Sequence, residues 1–234
     1  MGYDMMRHVC AIQVLLLLSC AAFSQQPSEH SAAPQPARPA REIWADLMEG
    51  NQRFVTNRAK ARDLAALRVS LANGQHPDVV VLTCSDSRVS PEVLFDQSLG
   101  DLFVVRSAGN NADAIGVGSI EYAVEHLGST VLVVLGHTKC GAVTAACSGG
   151  KIASPNVRSI VDKIEPAAAR ARSTRTGDDL IETAIKENVH QSARDVLTSS
   201  ELLRDFAAKG KLSVFQAEYQ LDTGKVILLE GPGP

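Results

Sequence analysis

Short apolar runs recur along the chain and are separated by segments with a different pattern. Three of these runs are rich in valine and leucine and contain almost no polar residue, which is typical of strands buried on both faces of a parallel sheet. They occupy residues 79–83, 102–106 and 130–136. Near the end of the chain, the apolar stretches 212–221 and 225–230 flank Asp-Thr-Gly, which predicts a hairpin-like pair at the sheet edge.

Between these runs, apolar residues recur every three or four positions, and this spacing predicts amphipathic helices. The first helix precedes every strand and forms an N-terminal helical arm. Strands that alternate with helices predict an α/β fold, with a mainly parallel β-sheet flanked by helices and right-handed crossovers. The predicted helical stretches are 42–55, 64–74, 113–128, 140–147, 156–173 and 180–210.

The start of the chain has the pattern of an export signal, predicted over residues 1–24. The apolar run 9–18 has about ten residues, the length of a signal-peptide core and too short to span a bilayer. Leu-Leu-Ser-Cys resembles the lipobox of bacterial lipoproteins, which implies a lipid anchor at Cys20; a second interpretation places cleavage before Gln25. We therefore expect a periplasmic or envelope-anchored protein. Asp4, ahead of the apolar run, favours the alternative of a cytosolic protein with an apolar N-terminus.

Residues 25–41 contain four prolines and no large apolar residue, which is typical of a linker. The folded domain is therefore predicted over 42–234, and a chain of 234 residues, 45% of them hydrophobic, is sufficient for one α/β core. The net charge is −3 and aromatic residues make up only 4%, which argues against binding to nucleic acid.

The chemistry-bearing residues follow two of the predicted strands. Cys84, Asp86 and Arg88 stand at alternate positions just after the strand 79–83, and His137 and Cys140 come directly after 130–136. Ligands gather beyond the carboxyl ends of parallel strands, so we expect these side chains to meet there. Two thiolates and one imidazole form a zinc set with an open fourth position, which is characteristic of a catalytic site.

Four segments together resemble a β-class carbonic anhydrase, and the resemblance extends over residues 42–230. The family signature is Cys-x-Asp-x-Arg followed by His-x-x-Cys, and this chain has both intact. The segments are CSDSRV (84–89), RSAGN (106–110), GSIEYAV (118–124) and GHTKCGAV (136–143).

The resemblance implies that Cys84, His137 and Cys140 bind Zn²⁺, whose hydroxide attacks CO2 to give bicarbonate and a proton. Asp86 would accept a hydrogen bond from that hydroxide, and Arg88 would keep Asp86 ionised. Because two thiolates reduce the charge of the metal, we expect activity to favour alkaline pH.

The family also has a closed, inactive state, in which the carboxylate at the position of Asp86 leaves its arginine and becomes the fourth zinc ligand. The aromatic and basic residues that line the bicarbonate pocket of such members are not recognisable here. We therefore expect the open state, with Asp86 paired to Arg88.

The resemblance also implies a substrate pocket. Gln75 matches a glutamine that donates a hydrogen bond to substrate, and the backbone N–H of Gly141 is placed to bind a bicarbonate oxygen. Phe103, Ala108 and Tyr122 match the apolar lining of the CO2 pocket. Some of these residues come from the partner subunit in this family, so we expect a homodimer or homotetramer.

Two other functions fit the same residues. The first is hydrolysis of CS2 or COS, which related proteins perform with the same zinc set on the same fold. The second is zinc binding without catalysis, which is disfavoured because such a protein would have no use for Asp86 and Arg88. A thiol oxidoreductase is disfavoured because the chain has no Cys-x-x-Cys motif.

Overall fold

A five-stranded sheet forms the centre of the fold in the computed structural model, which describes residues 38–232. The strand order is β2-β1-β3-β4-β5; the first four strands are parallel, and β5 runs antiparallel to β4. The export signal, the lipid anchor at Cys20 and most of the linker concern residues outside the described range. The strands are β1 (Val79–Cys84), β2 (Leu102–Ser107), β3 (Val131–His137), β4 (Ser213–Tyr219) and β5 (Val226–Glu230).

The strands β1 and β3 lie at the middle of the sheet because their sequences are apolar on both faces. Every residue of both strands is buried. β2 lies at one edge and is only partly buried along most of its length. The predicted α/β fold and the closing antiparallel pair are therefore confirmed, with strand limits within two residues of those expected.

Helices cover both faces of the sheet. The predicted stretch 180–210 forms two helices, because Ser200 adopts an extended conformation. The Ser200 side chain caps the second helix by accepting a hydrogen bond from the Leu203 N–H (3.0 Å). A short helix after β1 was not predicted. The helices are α1 (Ala40–Val55), α2 (Leu64–Ser70), α3 (Pro91–Leu94), α4 (Ala114–Glu125), α5 (Gly141–Ser148), α6 (Pro155–Arg172), α7 (Gly177–Ser199) and α8 (Glu201–Ala208).

The apolar core has three parts. α1 packs on one face of the sheet, where the Trp44 ring stacks on Phe215 at 4.8 Å. α4, α7 and α8 cover the other face. The third part lies beyond the strand ends, where α5, α6 and α7 surround Cys84 and Cys140. The two cysteines are therefore enclosed by packed helices, which keeps bulk water away from most of their surroundings.

A buried carboxylate joins the N-terminal arm to the sheet. The Asp96 side chain, only 2% exposed, accepts hydrogen bonds from Arg53 Nε (2.5 Å) and Arg62 Nη1 (2.6 Å). The backbone N–H of Lys60 also donates to it. These contacts attach α1 and the segment after it to the loop that follows α3.

Across residues 38–232, no helix combines the length and the apolar character needed to cross a membrane.

Candidate metal centre

The carboxyl ends of two neighbouring strands bring the three predicted metal ligands together. Cys84 is the last residue of β1 and His137 the last of β3, and these strands pair in parallel. Cys140 immediately precedes α5. All three residues are buried, and their ligand atoms lie within 4.8 Å of one another.

The turn between His137 and Cys140 is held by the neighbouring chain. The N–H of Thr138 donates to the Tyr219 carbonyl (3.0 Å), and the Thr138 hydroxyl accepts from the Leu221 N–H (3.0 Å). Lys139 adopts φ 57°, a left-handed conformation that few non-glycine residues take. This tight reversal places Cys140 beside His137.

One nitrogen of the His137 imidazole makes a hydrogen bond and the other has no hydrogen-bond partner. Its Nδ1–H donates to the Thr138 carbonyl (2.9 Å), because a carbonyl oxygen can only accept. The Nε2 lone pair therefore points toward the cysteines, where it is buried without a hydrogen-bond partner. A buried polar atom left unpaired costs about 1–3 kcal/mol, so this nitrogen fits a metal ligand.

The two thiols titrate together. The pKa of Cys84 is lowered to about 4, mainly by the adjacent Cys140 thiol and, against the effect of burial, by His137 and backbone amides. The Cys84 thiolate and burial raise the pKa of Cys140 above its usual range. The pair therefore holds one proton tightly. A cation in the place of that proton would favour both thiolates, and two sulfurs with one imidazole nitrogen match the donors that zinc prefers.

Asp86 and Arg88 form the predicted pair beside the ligands. Arg88 Nε and Nη2 donate to the two carboxylate oxygens of Asp86 at 2.9 and 2.7 Å, and the Arg88 backbone N–H adds a third bond at 3.0 Å. These bonds hold the pKa of Asp86 well below its usual range, against the opposing effect of burial. Asp86 Oδ2 lies 3.9 Å from His137 Nε2, so an ionised carboxylate faces the cluster.

Arg106 and Asn188 support the site and were not singled out from the sequence. Arg106, on β2, donates to the carbonyls of Cys84 (3.2 Å) and Asp86 (2.8 Å) and fixes the loop between them. Asn188, on α7, donates to the Gly109 carbonyl (2.7 Å). In the sequence, Asn188 is distinguished by being an asparagine on an otherwise apolar helix face. No local pattern shows which carbonyl its side chain reaches.

A turn of 3-10 helix (Ala108–Asn110) lies between β2 and α4 and reaches the metal ligands. The Gly109 N–H donates to Cys84 Sγ at 3.3 Å. Gly109 has φ 76°, and a Cβ atom there would lie 2.6 Å from Ile164 Cδ1. Glycine is therefore required both by the backbone conformation and by the close packing of α6.

The predicted substrate residues lie in three separate places. The exposed Gly141 begins α5 next to Cys140. Phe103 and Ala108 line a cleft of about 790 Å³ along the edge strand β2, and the half-exposed Tyr122 ring lies 6.4 Å from the ring of Phe103. No metal ligand lines this cleft. The roles of these residues in substrate binding stay predictions.

Gln75 lies far from the metal ligands of its own chain. It precedes β1, a strand of six residues, about 20 Å long at the usual rise. Its neighbour His76 lies with Asp78 and Leu102 at the amino ends of β1 and β2. Gln75 therefore lies too far along the strand to contact a substrate at the cluster of its own chain.

Two further residues of metal-binding type stand apart from the site. Cys147, on α5, does not belong to the Cys-His-Cys group, in agreement with its position nearly two turns after Cys140. His190, on α7, is partly buried and its Nδ1 lies 2.6 Å from Gln216 Oε1.

Comparison with known proteins points to one family. A family profile described as carbonic anhydrase matches residues 79–226. The chain is 39% identical over 194 residues to carbonic anhydrase 2 of Mycobacterium tuberculosis, a match that covers 81% of this chain and 93% of that protein.

Among solved structures, the chain resembles the β-carbonic anhydrase of Coccomyxa in complex with acetazolamide, with a TM-score of 0.67 and 27% identity over 80% of this chain and 86% of that one. It also shares its fold with a tetrameric β-carbonic anhydrase of Sordaria macrospora, with a TM-score of 0.66 and 24% identity over 82% of this chain and all of that one.

Proposed function

The chain belongs to the β-class carbonic anhydrases, and on this premise we propose that it hydrates CO2 with a zinc ion held by Cys84, His137 and Cys140. The observation that supports this most directly is the buried, unpartnered His137 Nε2 within 4.8 Å of two sulfurs. When bound there, zinc would supply the Lewis acidity that lowers the pKa of a coordinated water and makes it a nucleophile.

Asp86 orients the attacking water. Because Arg88 holds this carboxylate ionised and in one position, Asp86 accepts a hydrogen bond from the water and aims its remaining lone pair at the carbon of CO2. The backbone N–H of Gly141, at the start of α5, is free to donate to an oxygen of the bicarbonate product. Arg106 holds the loop that carries Asp86 in place beside the proposed ligands by donating a hydrogen bond to the Asp86 carbonyl.

A second copy of the chain completes the substrate pocket. Gln75 cannot meet the metal ligands of its own chain, and apolar side chains near β2 are left exposed: Tyr122 at 49% and Ile115 at 79%. We therefore propose that the active form is at least a homodimer, in which a neighbouring chain supplies Gln75. Sedimentation of the purified protein tests this, and an active monomer would contradict it.

Export is a separate part of the proposal and rests on residues 1–24 alone. In an oxidising compartment, free Cys84 and Cys140 would be at risk of oxidation. Bound zinc would protect both, so we expect the protein to acquire metal before or soon after export. Cell fractionation tests the location, and recovery of a metal-free protein with a Cys84–Cys140 disulfide would contradict the proposed protection.

Stopped-flow CO2 hydration, with zinc quantified in the same samples, tests the function. The matched variants are Cys84→Ser, at a proposed ligand, and Cys147→Ser, at a cysteine outside the cluster. We expect one zinc per chain and activity that rises with pH in the parent and in Cys147→Ser, and loss of both in Cys84→Ser. Full zinc occupancy without hydration at any pH would refute the proposal and favour CS2 or COS as substrate, or a binding role.

A further inference from the structure

A buried chain of two hydrogen bonds connects α7 to a proposed metal ligand. The Asn188 side-chain amide donates to the Gly109 carbonyl at 2.7 Å, and the Gly109 N–H donates to Cys84 Sγ at 3.3 Å. Asn188 is fully buried. A residue 104 positions away in the sequence from Cys84 therefore acts on its sulfur through a single residue, Gly109, whose carbonyl and N–H belong to successive peptide groups.

The turn that carries Gly109 is held by hydrogen bonds within its own loop and by hydrogen bonds with α7. Gly109 and Asn110 are consecutive left-handed residues, with φ 76° and 50°. The Asn188 amide also donates to the Asn110 side-chain oxygen (3.3 Å), and the Asn110 amide donates to the Ser192 hydroxyl (3.3 Å). Both contacts involve α7, so this helix, together with the loop itself, determines the orientation of Gly109.

The position of Asn188 is unfavourable for a polar residue. It lies on the buried face of α7 with Ile185 and Val189, and its Oδ1 is buried without a hydrogen-bond partner. An unsatisfied buried acceptor costs about 1–3 kcal/mol. The amide donor is the part of this side chain that the structure uses, and it points to the turn beside Cys84.

We propose that Asn188 is a positioning residue that aims the Gly109 N–H at the Cys84 sulfur and so limits how much charge this thiolate donates to the metal. The inference rests on the proposed function, because it requires a metal ion at Cys84. A thiolate that accepts a hydrogen bond is a weaker electron donor, so the bound metal keeps more of its Lewis acidity. Loss of a residue that orients a metal ligand without binding the metal itself typically changes metal affinity or activity by about 10–100-fold.

The test uses the cobalt(II)-substituted protein, whose sulfur-to-cobalt charge-transfer absorption reports the electron donation of the thiolates. In Asn188→Leu the Gly109 N–H loses its support, so we expect this absorption to move to longer wavelength. Zinc affinity, measured by competition with a chromophoric chelator, should fall by about tenfold, because the turn beside Cys84 no longer holds this ligand in one position. Asn188→Ala should shift the absorption in the same direction and provides a second variant if the leucine variant folds poorly.

Asn51→Leu is the matched control. Asn51 is also buried, and its amide donates to the carbonyls of Leu94 and Gly224, both at 2.9 Å, but these lie in another part of the fold. The control should lose stability without any shift of the charge-transfer absorption.

An absorption that is unchanged in both Asn188 variants, or that shifts equally in Asn51→Leu, would overturn the inference while leaving the proposed function intact. Absence of the charge-transfer absorption from the parent protein would overturn thiolate ligation itself, and the inference with it.

Discussion

Replacement of Asp96 by asparagine should destabilise the protein in a strongly pH-dependent way. Burial disfavours the charged form of this carboxylate, but Arg62, Arg53 and the Lys60 N–H outweigh it and lower the pKa of Asp96 from 3.8 to about 2. Asp96 has φ 46°, a conformation that asparagine tolerates, so the substitution removes charge without adding backbone strain.

The magnitude follows from the difference in pKa between the folded and unfolded states. The lowering from 3.8 to about 2 corresponds to roughly 2–3 kcal/mol of folding free energy. Because the pKa of Asp96 is lowered on folding, this stability is fully present above the unfolded value of 3.8 and is lost as the pH falls through about 2. Near pH 2.5, roughly a third of it should remain.

Urea unfolding measures the difference in folding free energy between the parent and Asp96→Asn at pH 7, 4 and 2.5. A chelator is present so that metal does not contribute. We expect a gap of about 2–3 kcal/mol at pH 7, since two arginines also lose their partner, and a much smaller gap at pH 2.5. Asp222→Asn, at an exposed carboxylate, should change stability by less than about 0.5 kcal/mol. A gap for Asp96→Asn that is the same at pH 7 and 2.5 would refute the electrostatic reasoning.

Three further outcomes follow from the site. Asp86→Asn should lower kcat/KM for CO2 hydration by about 10²-fold or more with zinc content unchanged, because it replaces the ionised acceptor of the attacking water by a neutral amide and breaks the two-oxygen pairing with Arg88; near-parent activity would show that the Asp86 carboxylate does not orient the nucleophile. Removal of metal by a chelator should lower the Tm, and stoichiometric zinc should restore it, since the metal binds the folded state; an unchanged Tm would argue against a buried metal. Gly109→Ala should destabilise the fold by about 1–2 kcal/mol or more and weaken zinc binding, because of its left-handed φ and the contact with Ile164. Gly118 lies on α4, and a Cβ atom there would contact no neighbouring residue within 4 Å, so Gly118→Ala should instead stabilise the fold by up to about 1 kcal/mol. Equal changes in stability for Gly109→Ala and Gly118→Ala would refute the steric argument.

Local sequence patterns determined the strands and the positions of the candidate metal ligands. The apolar runs that became β1 and β3 could only be buried on both faces, so their neighbours in the sheet had to be parallel strands covered by helices. The carboxyl ends of such strands meet at one edge, and for that reason Cys84 and His137 could be placed together before any coordinates were known. The pairing of Asp86 with Arg88 is also local, since only two positions separate them.

Tertiary structure decided the features that depend on contacts between distant segments. The periodicity did not predict the break at Ser200 because the helical pattern continues through it, while its extended backbone separates α7 from α8, and both helices contribute to the same apolar cluster. The hydrogen bond from Asn188 to Gly109 joins α7 to the turn after β2, and no spacing along the chain encodes it. Gln75 lies at the opposite end of β1 from Cys84, because a strand moves its two ends apart by its full length. The periodicity of apolar residues predicts which face of a helix or strand is buried. Which other element packs on that face is determined only by the tertiary structure.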